Sequence, residues 1–346
     1  MSSQATAAEA TGAAATSQRP AWRRTAPWGA GVLAVIACFG LQTQLYSGQE
    51  RTVTTIFMFV ALASAWNLIG GFAGYACFGQ VVFFGLGGYT TAVLMVHAHV
   101  DFWISMVLSG IGAAVFGALI GLPLLRLRGH YFAIATLGVA EGTREVVTNL
   151  PGLTGGGAGI TLPTVGAEAV TKYLGNDGFY LLFLMLAAFA VLVGALVSRS
   201  KFGFALRAIH QDEDAAAALG INTTRTKVLT FALSGFVTGL VGAAYAFQQV
   251  TIFPQRLFEV EITVLMVVMV VIGGSGTVLG PIVGAVGLQY LSEFLRRNYT
   301  DLHTLILGAI IIVVVVLLPQ GIVNYLRDGV RAREFSLLAN VRRYRL

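Results

Sequence analysis

Residues 261–295 read EITVLMVVMVVIGGSGTVLGPIVGAVGLQYLSEFL. The run is mostly apolar, and Gly273, Gly274, Gly276, Gly280 and Pro281 crowd its middle. One membrane crossing takes roughly 20 apolar residues, so the run is too long for one ordinary helix and is expected to form two short ones, split at the glycines. Charges elsewhere support that count. Arg19, Arg23 and Arg24 precede the first apolar run and place the N-terminus in the cytoplasm. Arg126 and Arg128 mark a second cytoplasmic loop, and Arg199, Lys201, Arg207, Arg225 and Lys227 a third. The connection 98–101 has no Lys or Arg, and 151–177 has only Lys172, so both are expected outside. A single crossing by 261–295 would strand Arg327, Arg331, Arg333, Arg342, Arg343 and Arg345 outside, against the positive-inside rule. Two crossings return that tail to the cytoplasm and put Arg296 and Arg297 outside, beside Glu293 and Asp301.

Further apolar windows fall near 28–46, 52–69, 74–97, 102–125, 130–150, 178–198, 227–248 and 302–320. The first is longer than a signal-peptide core and lacks a small-residue cleavage site, so it reads as a retained helix. The expected fold is all-α and polytopic, with about ten crossings, broken helices and both termini cytoplasmic. Residues 1–26, rich in Ala, Ser and Thr, read as a disordered cytoplasmic leader, 27–326 as the membrane domain with a cytoplasmic loop at 199–226, and 327–346 as a basic cytoplasmic tail. Composition agrees: 56% of the 346 residues are hydrophobic and 11% charged, against about 25% charged in soluble proteins, which excludes a soluble enzyme. The 42 glycines suit helices packed closely in lipid. Cys38 and Cys77 lie in apolar stretches and read as small buried hydrophobes.

Ile69-Gly70-Gly71 followed by Gly74 and Gly79 resembles Ile272-Gly273-Gly274 followed by Gly276 and Gly280. Glycine-interrupted segments in two halves are the mark of a transporter built from repeats, and the frequency of glycine in this chain is the plainer explanation. Catalytic features are missing from the pattern. A phosphate-binding loop needs Lys directly after Gly, whereas Lys172, Lys201 and Lys227 follow Thr, Ser and Thr. The glycine-rich run 154–159 lacks a flanking strand and helix. His97, His99, His130, His210 and His303 show no metal-ligand spacing. No catalytic residue, metal or cofactor is expected in this chain.

The stretch 201–227 is the most specific feature. Phe204, Ala205, Ala208 and Ile209 give a short apolar face. Asp212 can cap a second short helix, Glu213 and Asp214 suit its positive end, and Gly220 fits just past its C-terminus. An interfacial helix on lipid is the simpler reading, but three acidic residues would be repelled by anionic headgroups, which favours a protein partner. Asn67, Gln80, Tyr89 and Thr136 are candidates for lining a path, and such polar side chains also bridge helices. Arg144 is spaced to meet Glu141.

Residues 67–75, NLIGGFAGY, with 83–89, FFGLGGY, resemble the opening signature of the permeases of branched-chain amino acid ABC importers, of the larger of their two types. Residues 125–137 (LRLRGHYFAIATL), 153–156 (LTGG), 202–221 and 273–277 (GGSGT) with Gly280-Pro281 agree in order, so the resemblance spans 52–320. It implies a subunit of the bacterial cytoplasmic membrane paired with a second related permease, two cytoplasmic ATPases that hold ATP and Mg, and an external binding protein. It also implies that the ATPase engages the loop through Gly203, Ala205, Leu206, Arg207, Ala208, Ile209, Asp212, Glu213, Ala216, Leu219 and Gly220. Cys77 and Gln80 stand where Ser and His are expected, and relatives also carry urea and short amides, so the cargo stays open. The alternatives are an ion-driven carrier or channel, which would ordinarily place carboxylates or His deep in the membrane, and a scaffold without transport.

Overall fold

The computed structural model describes residues 47–163, 176–299, 302–318 and 320–332. The leader, the apolar run 28–46 with Cys38, Lys172 and the tail from 333 lie outside the described residues.

The described helices are α1 (Ser47–Asn67), continued by a π-helical turn (Leu68–Phe72), α2 (Val81–His97), α3 (Phe102–Leu124), α4 (His130–Thr148), α5 (Asn176–Arg199), α6 (Lys201–Gln211), α7 (Glu213–Ala218), α8 (Thr223–Gln249), α9 (Val260–Gly273), α10 (Gly280–Asn298), α11 (His303–Leu317) and α12 (Ile322–Ala332). A two-stranded antiparallel ribbon pairs β1 (Ile160–Thr161) with β2 (Thr251–Ile252). Because the ribbon joins the chain after α4 to the chain after α8, both lie at one end of the bundle, the end that the charge pattern places outside. Local chemistry starts the helices: Asp101 accepts the Trp103 N–H before α3 at 3.1 Å, and Asn222 accepts the Arg225 N–H before α8 at 2.9 Å.

Five described stretches are long and apolar enough to cross a membrane: Gln49–Phe72, Phe102–Leu124, Gly178–Arg199, Thr223–Gln249 and His303–Arg327. Helix α2 is apolar but shorter, which corrects the expectation of one helix over 74–97. Residues 73–80 are not helical. Gly74 sits at φ +77°, the Cys77 carbonyl accepts from Trp66 Nε1 at 2.7 Å, and the Phe78 N–H donates to Thr136 Oγ1 at 3.1 Å, so backbone groups that a helix would pair are taken by side chains. Helix α4 also falls outside those five, since Glu141, Arg144 and Glu145 lower its hydropathy. Arg144 does reach Glu141, at 2.8 Å. Helices α9 and α10 pack against each other and fold back at 274–279.

Helices α1 and α8 form the centre, α1 packing mainly on α5 and α8 on α2 and α3. Lipid removes the hydrophobic drive for helices to associate, so close approach and hydrogen bonding must hold them. A Cβ on Gly87 would lie 2.1 Å from the Gly239 carbonyl oxygen, and one on Gly242 would lie 2.0 Å from that of Phe84; α2 and α8 therefore meet backbone to backbone. Ser234 Oγ donates to the Ala65 carbonyl across α8 and α1 at 2.6 Å. Phe102 stacks on Phe247, with ring centroids 4.1 Å apart.

The expected sidedness is open to labelling. Thr223→Cys lies in the loop rich in basic residues and Asn176→Cys beside the loop that has one. With an impermeant thiol reagent on intact cells, Asn176→Cys should label and Thr223→Cys should not. The reverse pattern would overturn the topology.

Candidate functional site

The two glycine-rich segments that resemble one another in sequence are packed together. Asn67, at the end of α1, donates from Nδ2 to the Thr277 carbonyl at 2.9 Å and accepts the Gly276 N–H on Oδ1 at 3.0 Å. Gly71 lies in the π-helical turn with Gly70; a Cβ there would sit 1.8 Å from Asn67 Oδ1 and 2.6 Å from the Gly276 nitrogen. Gly274 adopts φ +120° and Gly276 φ +70°, backbone that side-chain-bearing residues rarely reach. Thr277 Oγ1 accepts the Gly280 N–H at 2.9 Å, and Pro281 occupies the first turn of α10, where its missing N–H costs nothing.

The loop 199–226 meets the first of these segments. Ser200 caps α6 by accepting the Gly203 N–H at 3.1 Å, and Gly203, Leu206 and Ile209 turn inward. Asp212 caps α7 through the N–H groups of Asp214 and Ala215, at 2.9 and 3.0 Å, and Gly220 closes it at φ +86°, as the spacing predicts. Ala216 is buried; Ala205 and Ala208 are half-buried. The four residues expected to share one apolar face are divided: Ile209 is buried, whereas Phe204 is 63% exposed and lies under the Arg207 guanidinium. The helical period puts Gly203, Leu206 and Ile209 on one side and leaves Phe204 on the other. Leu219 is 82% exposed.

Glu213 also corrects the reading of an outward acidic turn. Its carboxylate points into the bundle, where Lys227 Nζ donates to Oε1 at 2.6 Å and the Tyr75 hydroxyl donates to Oε2. Lys227 is 3% exposed and donates further to the Tyr75 oxygen at 3.0 Å and the Leu125 carbonyl at 2.8 Å. A buried ammonium is tolerable only when paired in this way. Arg128 grips Asp214 with two hydrogen bonds, of 2.8 and 3.0 Å. Burial pushes the Glu213 carboxyl up, but hydrogen bonds from Lys227 and Tyr75 and the charges of Lys227 and Arg128 outweigh it and hold the group below the usual carboxylate range. Arg128 holds Asp214 low as well. Lys227, Tyr75 and Arg128 were not legible as a cluster, because Lys227 follows Thr223, Thr224, Arg225 and Thr226 in a polar opening of α8 and does not stand out there.

The four path candidates are all buried. Thr136 is 1% exposed, spent on the Phe78 N–H and the Ala133 carbonyl, and Asn67 is spent on the second glycine segment. Gln80 Nε2 donates to Ser234 and Thr238 at 2.7 Å each, and Tyr89 stacks on Phe258. Gln80 Oε1 and the Tyr89 hydroxyl have no hydrogen-bond partner among the described residues. No group of His, Cys, Asp or Glu that could hold a metal occurs among the described residues. At the opposite end from the loop, α1, α2, α5, α8 and the start of α9 surround a cleft of about 880 Å³, with Arg51, Gln249, Arg256 and Glu259 at its rim and Phe59, Phe84 and Phe183 deeper.

No solved structure gives a significant match. Among curated proteins the chain is similar to the high-affinity branched-chain amino acid transport system permease protein LivM of Salmonella typhimurium, 30% identical over 83% of this chain and 72% of that one. It resembles LivM of Escherichia coli at 29% over the same shares. LivH of Escherichia coli is 24% identical over 81% of this chain and 94% of its own. The family model described as "branched-chain amino acid transport system / permease component" matches residues 49–315. The chain, a multi-helix apolar bundle with glycine-broken segments and a docked pair of short helices, belongs to the branched-chain amino acid transport permease family.

Proposed function

We propose that this chain is the permease subunit of an ATP-driven importer in a bacterial inner membrane, with both termini in the cytoplasm. It works with a second related permease, two cytoplasmic ATPases that hold the ATP and Mg, and an external binding protein. It passes branched-chain amino acids or a similar small polar solute inward. The similarity to both LivM and LivH, named as permeases of one kind of system, supports pairing with a related subunit. Gln80 and Tyr89, each with a buried polar atom lacking a protein partner, are the better candidates for meeting solute or water in another state. Asn67 and Thr136 serve the packing.

The observation that carries this reading is the division of the loop 199–226 into two faces. Its inner face is locked into the bundle by Leu206, Ile209, Glu213 and Ala216. Its outer face presents Phe204, Ala215, Ala217, Ala218 and Leu219 beside Asp212, apolar surface at a cytoplasmic end that a soluble partner can cover. Leu219→Asp touches none of the inner contacts. The partner ATPase should therefore no longer copurify, while membrane abundance stays at the wild-type level. Undiminished copurification would reject this face as the dock, and full uptake in cells lacking the ATPase would favour the ion-driven alternative.

A further inference from the structure

The Lys227–Glu213–Tyr75 cluster joins three parts of the chain that are far apart in sequence: the start of α7, the start of α8 and the extended segment 73–80. Each bond falls on a different partner. Glu213 receives Tyr75 and Lys227 on separate oxygens, and Lys227 also holds Tyr75 and the Leu125 carbonyl. Tyr75 thus joins the non-helical segment to this ion pair, by hydrogen bonds at its hydroxyl and by its ring, over which the Lys227 ammonium lies 4.9 Å from the centroid. The segment is short and non-helical. Its N-terminal end follows the Gly70-Gly71 turn, which lies against Gly276, and its C-terminal end is Gln80, bonded to the middle of α8. The His210 ring of α6 rests on Gly74, where a Cβ would come within 2.8 Å of it. A displacement of α6 and α7 is therefore felt at residues 74 and 75, as it is at α5 and α8, on which α6 also packs.

We propose that Tyr75 is the positioning residue that delivers movement of the cytoplasmic helices to the paired glycine segments. Glu213 and Lys227 serve as its grip. This rests on the importer reading above but does not follow from it, since a loop can dock an ATPase and still pass its motion elsewhere. The pair Glu213–Lys227 holds the loop, and the hydroxyl of Tyr75 ties that pair to the segment between the Gly70-Gly71 turn and α2.

Tyr75→Phe tests this with the loss of one oxygen atom, leaving the ring against Phe132 and the Lys227–Glu213 pair in place. The complete complex, with both permeases, the ATPases and the binding protein, is purified and placed in liposomes, and solute uptake and ATP hydrolysis are measured together. The Phe variant should retain wild-type ATPase content, while solute moved per ATP should fall about five- to tenfold, the scale of one modest coupling free energy. Glu213→Gln, which keeps one acceptor oxygen for Lys227 and places an amide N–H that can donate to the Tyr75 oxygen, should lose less coupling than Glu213→Ala at equal assembly. A Phe variant that transports as many solutes per ATP as the wild type overturns the proposal, as does one whose loss is fully explained by missing ATPase. If the wild-type chain itself retains no ATPase, it is the importer reading that fails.

Discussion

Gly273→Ala is expected to abolish uptake and to lower the thermal stability of the detergent-solubilised protein by several degrees, whereas Gly287→Ala should change neither. A methyl on Gly273 would lie 1.8 Å from the carbonyl oxygen of Gly280 and 3.0 Å from the nitrogen of Gly284. Both are backbone atoms of α10, so no side chain can swing aside and the helices must part. Overpacking of well-fitted helices costs on the order of 1–3 kcal/mol, and here the strain falls at the fold-back between α9 and α10. Gly287 lies in α10, the partner helix, with nothing within 4 Å of the methyl it would gain, so it controls for an added methyl without the clash. The comparison is made at matched membrane abundance. Normal uptake by Gly273→Ala would show that the two helices do not close at the glycines, and would remove the support for counting 261–295 as two crossings.

Asn67→Ala is the second large effect. It deletes both bonds to the second glycine segment and leaves the Gly276 N–H and the Thr277 carbonyl without their partner. An unsatisfied buried group costs roughly 1–3 kcal/mol, and the two orphaned groups are partly buried. The variant should unfold at lower temperature and lose most of its uptake. Asn67→Asp keeps the acceptor for Gly276 but loses the donor to Thr277 and should fall no less, because it introduces a charge at a position 2% exposed. Wild-type stability in Asn67→Ala would mean that the two segments are held by packing alone.

Much of this architecture was legible because the relevant signals are local. Apolar windows marked the helices, the crowding of Gly273 to Pro281 marked the fold-back, and Asp212 and Gly220 marked the ends of α7. The internal similarity of the two glycine segments was visible, but not that they touch, because the contact runs through Asn67 to residues over two hundred positions away. The same limit hid the Lys227 cluster. Charge counting reads a Lys in a cytoplasmic loop as a topology marker whether it faces water or is buried, and an acidic Glu213 looks like surface until its partner is placed. Segment 73–80 was misread as helix because its composition suits a lipid-embedded helix; what keeps it extended is a set of side chains, Trp66 and Thr136 among them, that bond its backbone.

Those bonds also bear on how the chain is made. The Phe78 N–H waits for Thr136, and the Val81 N–H for Thr263 at 2.9 Å. Both hydroxyls belong to helices synthesised after α2 has left the ribosome. Hydrocarbon offers no substitute for them, and neither bond can form until α4 and then α9 arrive. The segment before α2 is therefore expected to reach its final hydrogen bonding late, and chains cut short before α9 should be degraded faster in the membrane than the complete chain.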